Sequence, residues 1–311
     1  MNPIKLLPIT VLLTSLAAQG VATYTYDGGH IEIRNFKDLS GDWTDVKASV
    51  NNKEKHAHIS GEAANLSLPE KGLSVTGNVL DFRWAQADPK TIELREGTIE
   101  GKAVIHMDTE KGYQANLKFS ASKHLPAPKA PAEFRVSQLE TEKILYSGNV
   151  SRGTLTMPTA WKYSESDSGD ATKVDDKKTS HIHFVQTFNC DAANGLLVIR
   201  QGQTGQLDQI ESGLAEGPVH FKFIRDETNL ETKVLTHTSY VGVADRVEIN
   251  MLTQPGTVTA SGHVIVDGDS NGALTNFKVD RLVMTVSPQM EPISVQMFSG
   301  VTTVKSKDGS R

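Results

Sequence analysis

Over most of this chain polar and apolar side chains alternate, and a period of two dictates extended strands whose successive side chains face opposite sides of a sheet. The alternation is visible in His30-Ile31-Glu32-Ile33-Arg34, Val219-His220-Phe221-Lys222-Phe223 and Arg246-Val247-Glu248-Ile249-Asn250-Met251. It recurs in Leu282-Val283-Met284-Thr285-Val286 and, less regularly, in Ala103-Val104-Ile105-His106-Met107. Valine, isoleucine and threonine are frequent in these runs, as a pleated, half-buried surface favours. Glycines punctuate them at Gly72, Gly77, Gly97, Gly101, Gly148, Gly153, Gly262, Gly268, Gly272 and Gly300, and Asp267-Gly268 and Asn271-Gly272 are turn-forming pairs. Many short strands at close spacing predict an all-β fold, an elongated open β-jellyroll or a stack of antiparallel β-hairpins. Little helix is expected. Phe134 to Leu145 reads as β or irregular chain.

The first residues form a different pattern. Lys5 precedes a short apolar stretch, Leu6 to Ala18, and small residues follow at Ala17, Ala18, Gly20 and Ala22. This is the layout of a secretory signal peptide over residues 1–22, with cleavage after Ala22 preferred over Ala18 or Gly20. The stretch is shorter than the roughly 20 residues that span a bilayer. Export to a periplasmic location is therefore expected. Two segments read as breaks in the β pattern. His124 to Ala132 is rich in proline and reads as an extended linker. It would divide a first β module, 23–123, from a second, 133–304. Residues 164–180 are small, polar and charged and read as a flexible solvated loop, and 305–311 as a frayed tail.

Composition narrows the function classes. The net charge of -5, with both signs interspersed, gives no basic face for nucleic acid. The single cysteine, Cys190, permits no disulfide within the chain and reads as a small buried apolar residue. His56-Ala57-His58 and His181-Ile182-His183 each place two imidazoles on one face of a strand, but a metal needs a third ligand. Asp175, Asp176 and Asp191 lie near the second pair with no spacing that enforces convergence, so no metal and no cofactor are expected. Trp43, Trp84 and Trp161 could stack on sugar rings if exposed, and read more readily as core or rim packing. No nucleophile elbow, phosphate-binding glycine loop or HExxH helix is present, and the chain reads as a non-enzyme.

An uneven repeat carries further information. Gly-x-Val or Gly-x-Ala opens a strand at Gly77, Gly101, Gly148, Gly217 and Gly262, with Gly300-Val301-Thr302 as a variant. Near the C-terminus the unit alternates with a second one: Val243-Ala244-Asp245-Arg246-Val247 before Gly262-His263-Val264, then Val279-Asp280-Arg281-Leu282 before Gly300-Val301. Over Gly217 to about Val304, and loosely over Ile59 to Lys123, the chain resembles the OstA-like family of periplasmic β-jellyroll modules in lipopolysaccharide transport. The resemblance implies a roll with an apolar inner face that holds the acyl chains of an amphipathic glycolipid. It also implies edge strands that pair with other envelope proteins or with further copies of the chain. The ligand-facing residues would be Val247, Ile249, Val264, Val266, Leu282, Met284 and Val286, residues that ordinary core packing would also explain. Asp245-Arg246 and Asp280-Arg281 would offer arginines to lipid phosphates or form cross-strand ion pairs. A carrier of this type needs a continuous apolar channel between sheet faces. The rival reading, a carbohydrate-binding or structural β-sandwich, needs exposed aromatics over a closed core.

Overall fold

A computed structural model describes residues 20–26, 29–42, 54–88, 91–131, 133–149, 151–175, 178–200, 209–287 and 292–305. The proposed leader up to residue 19, Trp43 and the tail beyond Lys305 lie outside the described residues. The chain is all-β, and among the described residues one α-helix and a 3-10 turn at Pro69–Lys71 accompany the strands. In order, its strands are β1 (Gly20–Tyr26), β2 (Gly29–Phe36), β3 (Asp38–Gly41), β4 (Lys55–Leu68), β5 (Leu73–Asp88) and β6 (Thr91–Asp108). After helix α1 (Thr109–Ser122) come β7 (Glu133–Gly148), β8 (Arg152–Met157), β9 (Trp161–Asp175), β10 (Lys178–Ala192) and β11 (Asn194–Arg200). The last five are β12 (Gln209–Asn229), β13 (Leu235–Asn250), β14 (Gly256–Ser270), β15 (Ala273–Val286) and β16 (Pro292–Lys305).

All of them belong to one antiparallel sheet in which neighbours in sequence are neighbours in space. β8 and β9 lie end to end beside β7, and β10 and β11 end to end beside β12, so the whole reads as a single meander. The Pro-rich segment does not divide the sheet, because β6 pairs with β7 across it from Glu96↔Ser147 to Asp108↔Val136. Of residues 164–180, read above as a solvated loop, 164–175 and 178–180 lie in paired strands instead. β9 pairs with β10 along its length and with β7 as far as Gly169, which satisfies the backbone of the first half of this polar stretch from both sides.

The long strands bend where their registers slip. Slips fall between Ser60 and Ala64, Thr76 and Val79, Glu100 and Ala103, Glu216 and Val219, Val243 and Arg246, and Ser261 and Val264. The slips face one another within β4–β7 and within β12–β15, and the breaks between β8 and β9 and between β10 and β11 continue the line, so a ridge crosses the sheet. Left-handed backbone marks it at Ala63, Gly101, Lys102, Gly217, Gly262, His263 and Ser299. A β-bulge adds a residue to one strand and sharpens its bend. The Gly-x-Val repeat is therefore a bending device within strands. The glycine takes the positive φ or the close approach, and the third residue plugs the inside of the bend: Ala103, Val219 and Val264 are buried. Gly148 is the exception, since it leads into the β7–β8 turn. Asn271-Gly272 is a hairpin turn as expected, whereas Asp267-Gly268 lies within β14.

Folding along the ridge brings the two halves of the inner face together. One apolar cluster runs from β1 to β12 and holds Ile33, Ile59, Leu80, Ile144 and Met157, all without measurable exposure. A second, smaller cluster joins Val264, Val266 and Val279 on one side of the ridge to Ala260 and Leu282 on the other. Helix α1 was not expected. Asp108 caps its N-terminus by accepting from the Lys111 backbone N–H at 2.9 Å. Its Gly112 lies against the backbone of Gly72, where a β-carbon would come within 2.6 Å of the Gly72 nitrogen.

Candidate functional site: the inner face of β13 to β16

Pairing arranges the inner face in rows parallel to the ridge. The first row on the C-terminal side of the β13 bulge runs Ala215, Val247, Ala260, Leu282, Met297. The next runs Gly213, Ile249, Val258, Met284, Val295. Val286 stands opposite Gly256, Val264 opposite Val279, and Val266 between Gly242 and Phe277. The seven residues expected to face a ligand thus fall into two groups, one on each side of the ridge. Val264, Val266, Leu282 and Val286 are buried, and Val247, Ile249 and Met284 are half-buried. The first three of the buried group are core residues of the second cluster, against which Val247 and Met284 pack.

The cover over these rows thins toward the edge of the sheet. Small residues, Gly213, Ala215, Gly242, Ala244 and Ala260, occupy the positions between the larger ones. At the end of the rows Met297 is 40% exposed and Val295 44%. β16 ends the strand order, and along its length Ile293, Phe298 and Val301 are exposed as well. An edge strand of this kind presents unpaired backbone groups and apolar side chains together. Most of the fully buried apolar side chains lie in β2–β12, among them Ile33, Leu80, Met157 and Val219, with Ile105, Phe188, Leu197 and Ile199 half-buried against that core. On the inner rows of the last strands the cover falls further, to the exposed Val295 and Met297.

The charged motifs are used within the fold. Arg246 donates to Glu216 at 2.9 Å and also pairs with Glu248. Arg281 lies over the Phe298 ring, 5.4 Å from its centroid. Asp245 accepts from His263 Nδ1 at 2.8 Å, and this hydrogen bond raises the imidazole above its ordinary range. His56 and His58 share Asp81, one carboxylate oxygen each, at 2.7 and 3.1 Å. Burial works against the Asp81 charge, yet the two imidazoles outweigh it and hold the carboxyl below its usual value. His183 pairs with Asp170, and Asp191 with His220. Among the described residues no group of three such side chains is set to hold a metal ion. Trp84 and Trp161 are core residues, and Cys190 is buried, its thiol pushed up to about 12 by burial and by Asp191.

One feature of the inner face had no counterpart among the expectations. Farther from the ridge than the β9–β12 aromatic rows, Arg135, Asp167, Gln186 and Arg225 stand in register on four successive strands. Arg135 donates to Asp167 at 2.8 Å, Gln186 donates to Asp167 at 2.9 Å, and Arg225 donates to Gln186 at 2.8 Å. Asp167 is 2% exposed, and its ionic and amide partners are what allow a carboxylate there. Burial opposes the Arg135 charge, but Glu165 and Asp167 more than offset it and raise the guanidinium. Glu165, which accepts from Tyr163, is raised by burial, an effect that Arg135 opposes and Asp167 reinforces. The polar composition of 164–170 concealed the strand that carries these groups. The alternation Ile182, Phe184, Gln186, Phe188, Cys190 in β10 was the available signal.

With this geometry in view, comparison with protein-family models, with curated proteins and with solved structures finds no match.

Proposed function

We propose that this chain is a non-enzymatic, exported lipid-handling protein that lays the acyl chains of an amphipathic glycolipid along the inner face of β13–β16. The observation that carries this reading is the change in cover along one inner face. Its fully buried side chains are concentrated in β2–β12, whereas toward the sheet edge Val247, Ile249 and Met284 are half-buried and Val295 and Met297 exposed. Water released from such a surface by an alkyl chain stabilises the complex by roughly 0.8 kcal/mol per buried methylene. The edge of β16, whose neighbour among the described strands is β15, would join envelope partners, or a further copy of the chain, by strand addition. A carbohydrate-binding module is less well supported, since Trp84 and Trp161 are each 5% exposed and offer no stacking platform. The leader reading implies a periplasmic location. β1 uses Gly20, Val21 and Ala22, so a cut after Ala22 would shorten that strand.

The test is native mass spectrometry of the protein purified from its own envelope, with extraction and identification of bound lipid. The expected result is a co-purifying amphiphile in the parent that is lost in folded Ile249→Glu and Met284→Glu variants. A lipid-free parent that also takes up no added palmitate would overturn the reading.

A further inference from the structure

The hairpin tip between β12 and β13 breaks the usual chemistry of exposed turns. Such turns are built from polar residues and glycine. Here Leu230, Val234 and Leu235 are 39%, 59% and 62% exposed within one six-residue segment. Single exposed leucines are ordinary on protein surfaces, but three aliphatic side chains gathered on one hairpin tip are not. The turn itself does not demand them. The β7–β8 tip uses the same device, an asparagine oxygen accepting backbone N–H groups, in the sequence Asn149-Val150-Ser151-Arg152, with one aliphatic residue rather than three.

The backbone of the apolar tip is closed on itself. Asn229 Oδ1 accepts from the N–H of Glu231 at 2.9 Å and of Thr232 at 2.8 Å. The Asn229 N–H donates to the Val234 carbonyl, the Lys233 N–H to the Asn229 carbonyl, and the Leu230 N–H to the His181 carbonyl on β10. The Val234 N–H reaches Thr232 Oγ1 at 3.5 Å. Six consecutive N–H groups, Asn229 to Val234, therefore find acceptors within the protein. Entry into a medium without water strands a backbone donor unless it is already bonded. This tip meets that requirement before it touches anything.

We infer that the β12–β13 tip is a membrane-docking element, which seats Leu230, Val234 and Leu235 in the headgroup and upper acyl region of a bilayer. A bilayer fits better than a protein partner because a stable protein interface needs about 800 Å² from each side, far more than three side chains present. A lipid surface needs no complementary shape, and attachment grows with the apolar area inserted. Charge plays a small part, because Lys233 at the apex is accompanied by Glu231 two residues away. Attachment through this tip would be shallow and reversible. The inference is independent of the inner-face lipid site, which lies on other residues.

The test is flotation of the full protein with vesicles of phosphatidylethanolamine and phosphatidylglycerol. The parent is expected to float with the vesicles at low and high salt alike. A Val234→Asp, Leu235→Asp double variant is expected to lose at least about ten-fold of that binding. Leu252→Asp, an exposed leucine at the opposite end of β13 (58%), is expected to bind as the parent does. Circular dichroism checks the fold, and Leu235→Ser supplies a milder variant if the double one unfolds. Ile249→Glu should keep vesicle binding while losing any co-purified lipid, which separates this inference from the carrier reading. A parent that stays with the soluble fraction, or tip variants that float unchanged, would overturn it. Binding that disappears at high salt would assign the contact to charge elsewhere and count equally against the tip.

Discussion

The strands from β2 to β12 and those from β13 to β16 share one sheet, one ridge and one bending motif, yet they build different interiors. Over β2–β12 large side chains such as Phe82, Trp84 and Trp161 join Ile59, Leu80 and Ile144 in a sealed core. Over β13–β16 the ridge plugs are valines, their neighbours are Ala244 and Ala260, and cover falls away toward an exposed edge. The same backbone thus yields a packed domain core or a half-covered apolar surface according to side-chain volume and distance from the edge.

The sharpest way to test that contrast is to remove equivalent side chains from each region. Leu80→Ala in the sealed part should cost about 2–5 kcal/mol, the range for a fully buried leucine. Ile249→Ala, already half-exposed, should cost about 1 kcal/mol, because less apolar surface leaves water there on folding. Denaturant midpoints with unchanged m-values measure both. Equal losses would dissolve the distinction.

The ridge offers a smaller comparison. An added β-carbon at Gly217 (φ +91) would lie 2.5 Å from the Ala193 β-carbon, which is tied to the backbone. At Gly262 (φ +70) it would lie 2.4 Å from an Asp245 carboxylate oxygen, which can swing away, and 2.8 Å from the Asp245 β-carbon, which cannot. Both alanine variants carry the left-handed strain of about 1–2 kcal/mol. Gly217→Ala should be the more costly of the two by up to about 1 kcal/mol, since its fixed contact is the closer one, 2.5 against 2.8 Å. Thermal unfolding of the two variants decides the order.

The third comparison concerns pH. The Glu165 carboxyl is raised in the folded protein, chiefly by burial. A carboxyl raised on folding binds its proton more tightly in the native state, so stability falls as pH rises from the ordinary glutamate range through the raised value. Glu165→Gln removes that fall. The variant should match the parent in acid and exceed it near neutrality, as followed by unfolding free energy against pH. A variant weaker than the parent at neutral pH would show that the ionised carboxylate is the form the ladder requires.

The β class was legible because alternation survives wherever one face is buried. In β10 the inward series Ile182, Phe184, Phe188 and Cys190 is interrupted only by Gln186. β9 was not legible, because Ser164, Ser166 and Ser168 alternate with Glu165, Asp167 and Gly169 and both faces read as polar. The glycine repeat was visible but its meaning was not. A bulge and a strand start both call for glycine, and only the pairing register separates them. Helix α1 has a weak apolar stripe, and its plainest mark was Asp108 as a cap with Glu110 in the first turn. The inward residues of the last strands could be listed from alternation, although the bulges shift the inward series from Ala244 to Val247 and from Val279 to Leu282. Which of them would be open could not be read locally, because the edge status of β16 depends on pairing across the whole sheet.

Hydrogen exchange read by mass spectrometry, with and without added palmitate, tests the central claim most directly. The account predicts strong protection across β4–β12, weaker protection in β15 and β16, and a gain on adding palmitate confined to β13–β16. Uniform protection along the sheet, or a gain centred on β4–β7, would contradict it.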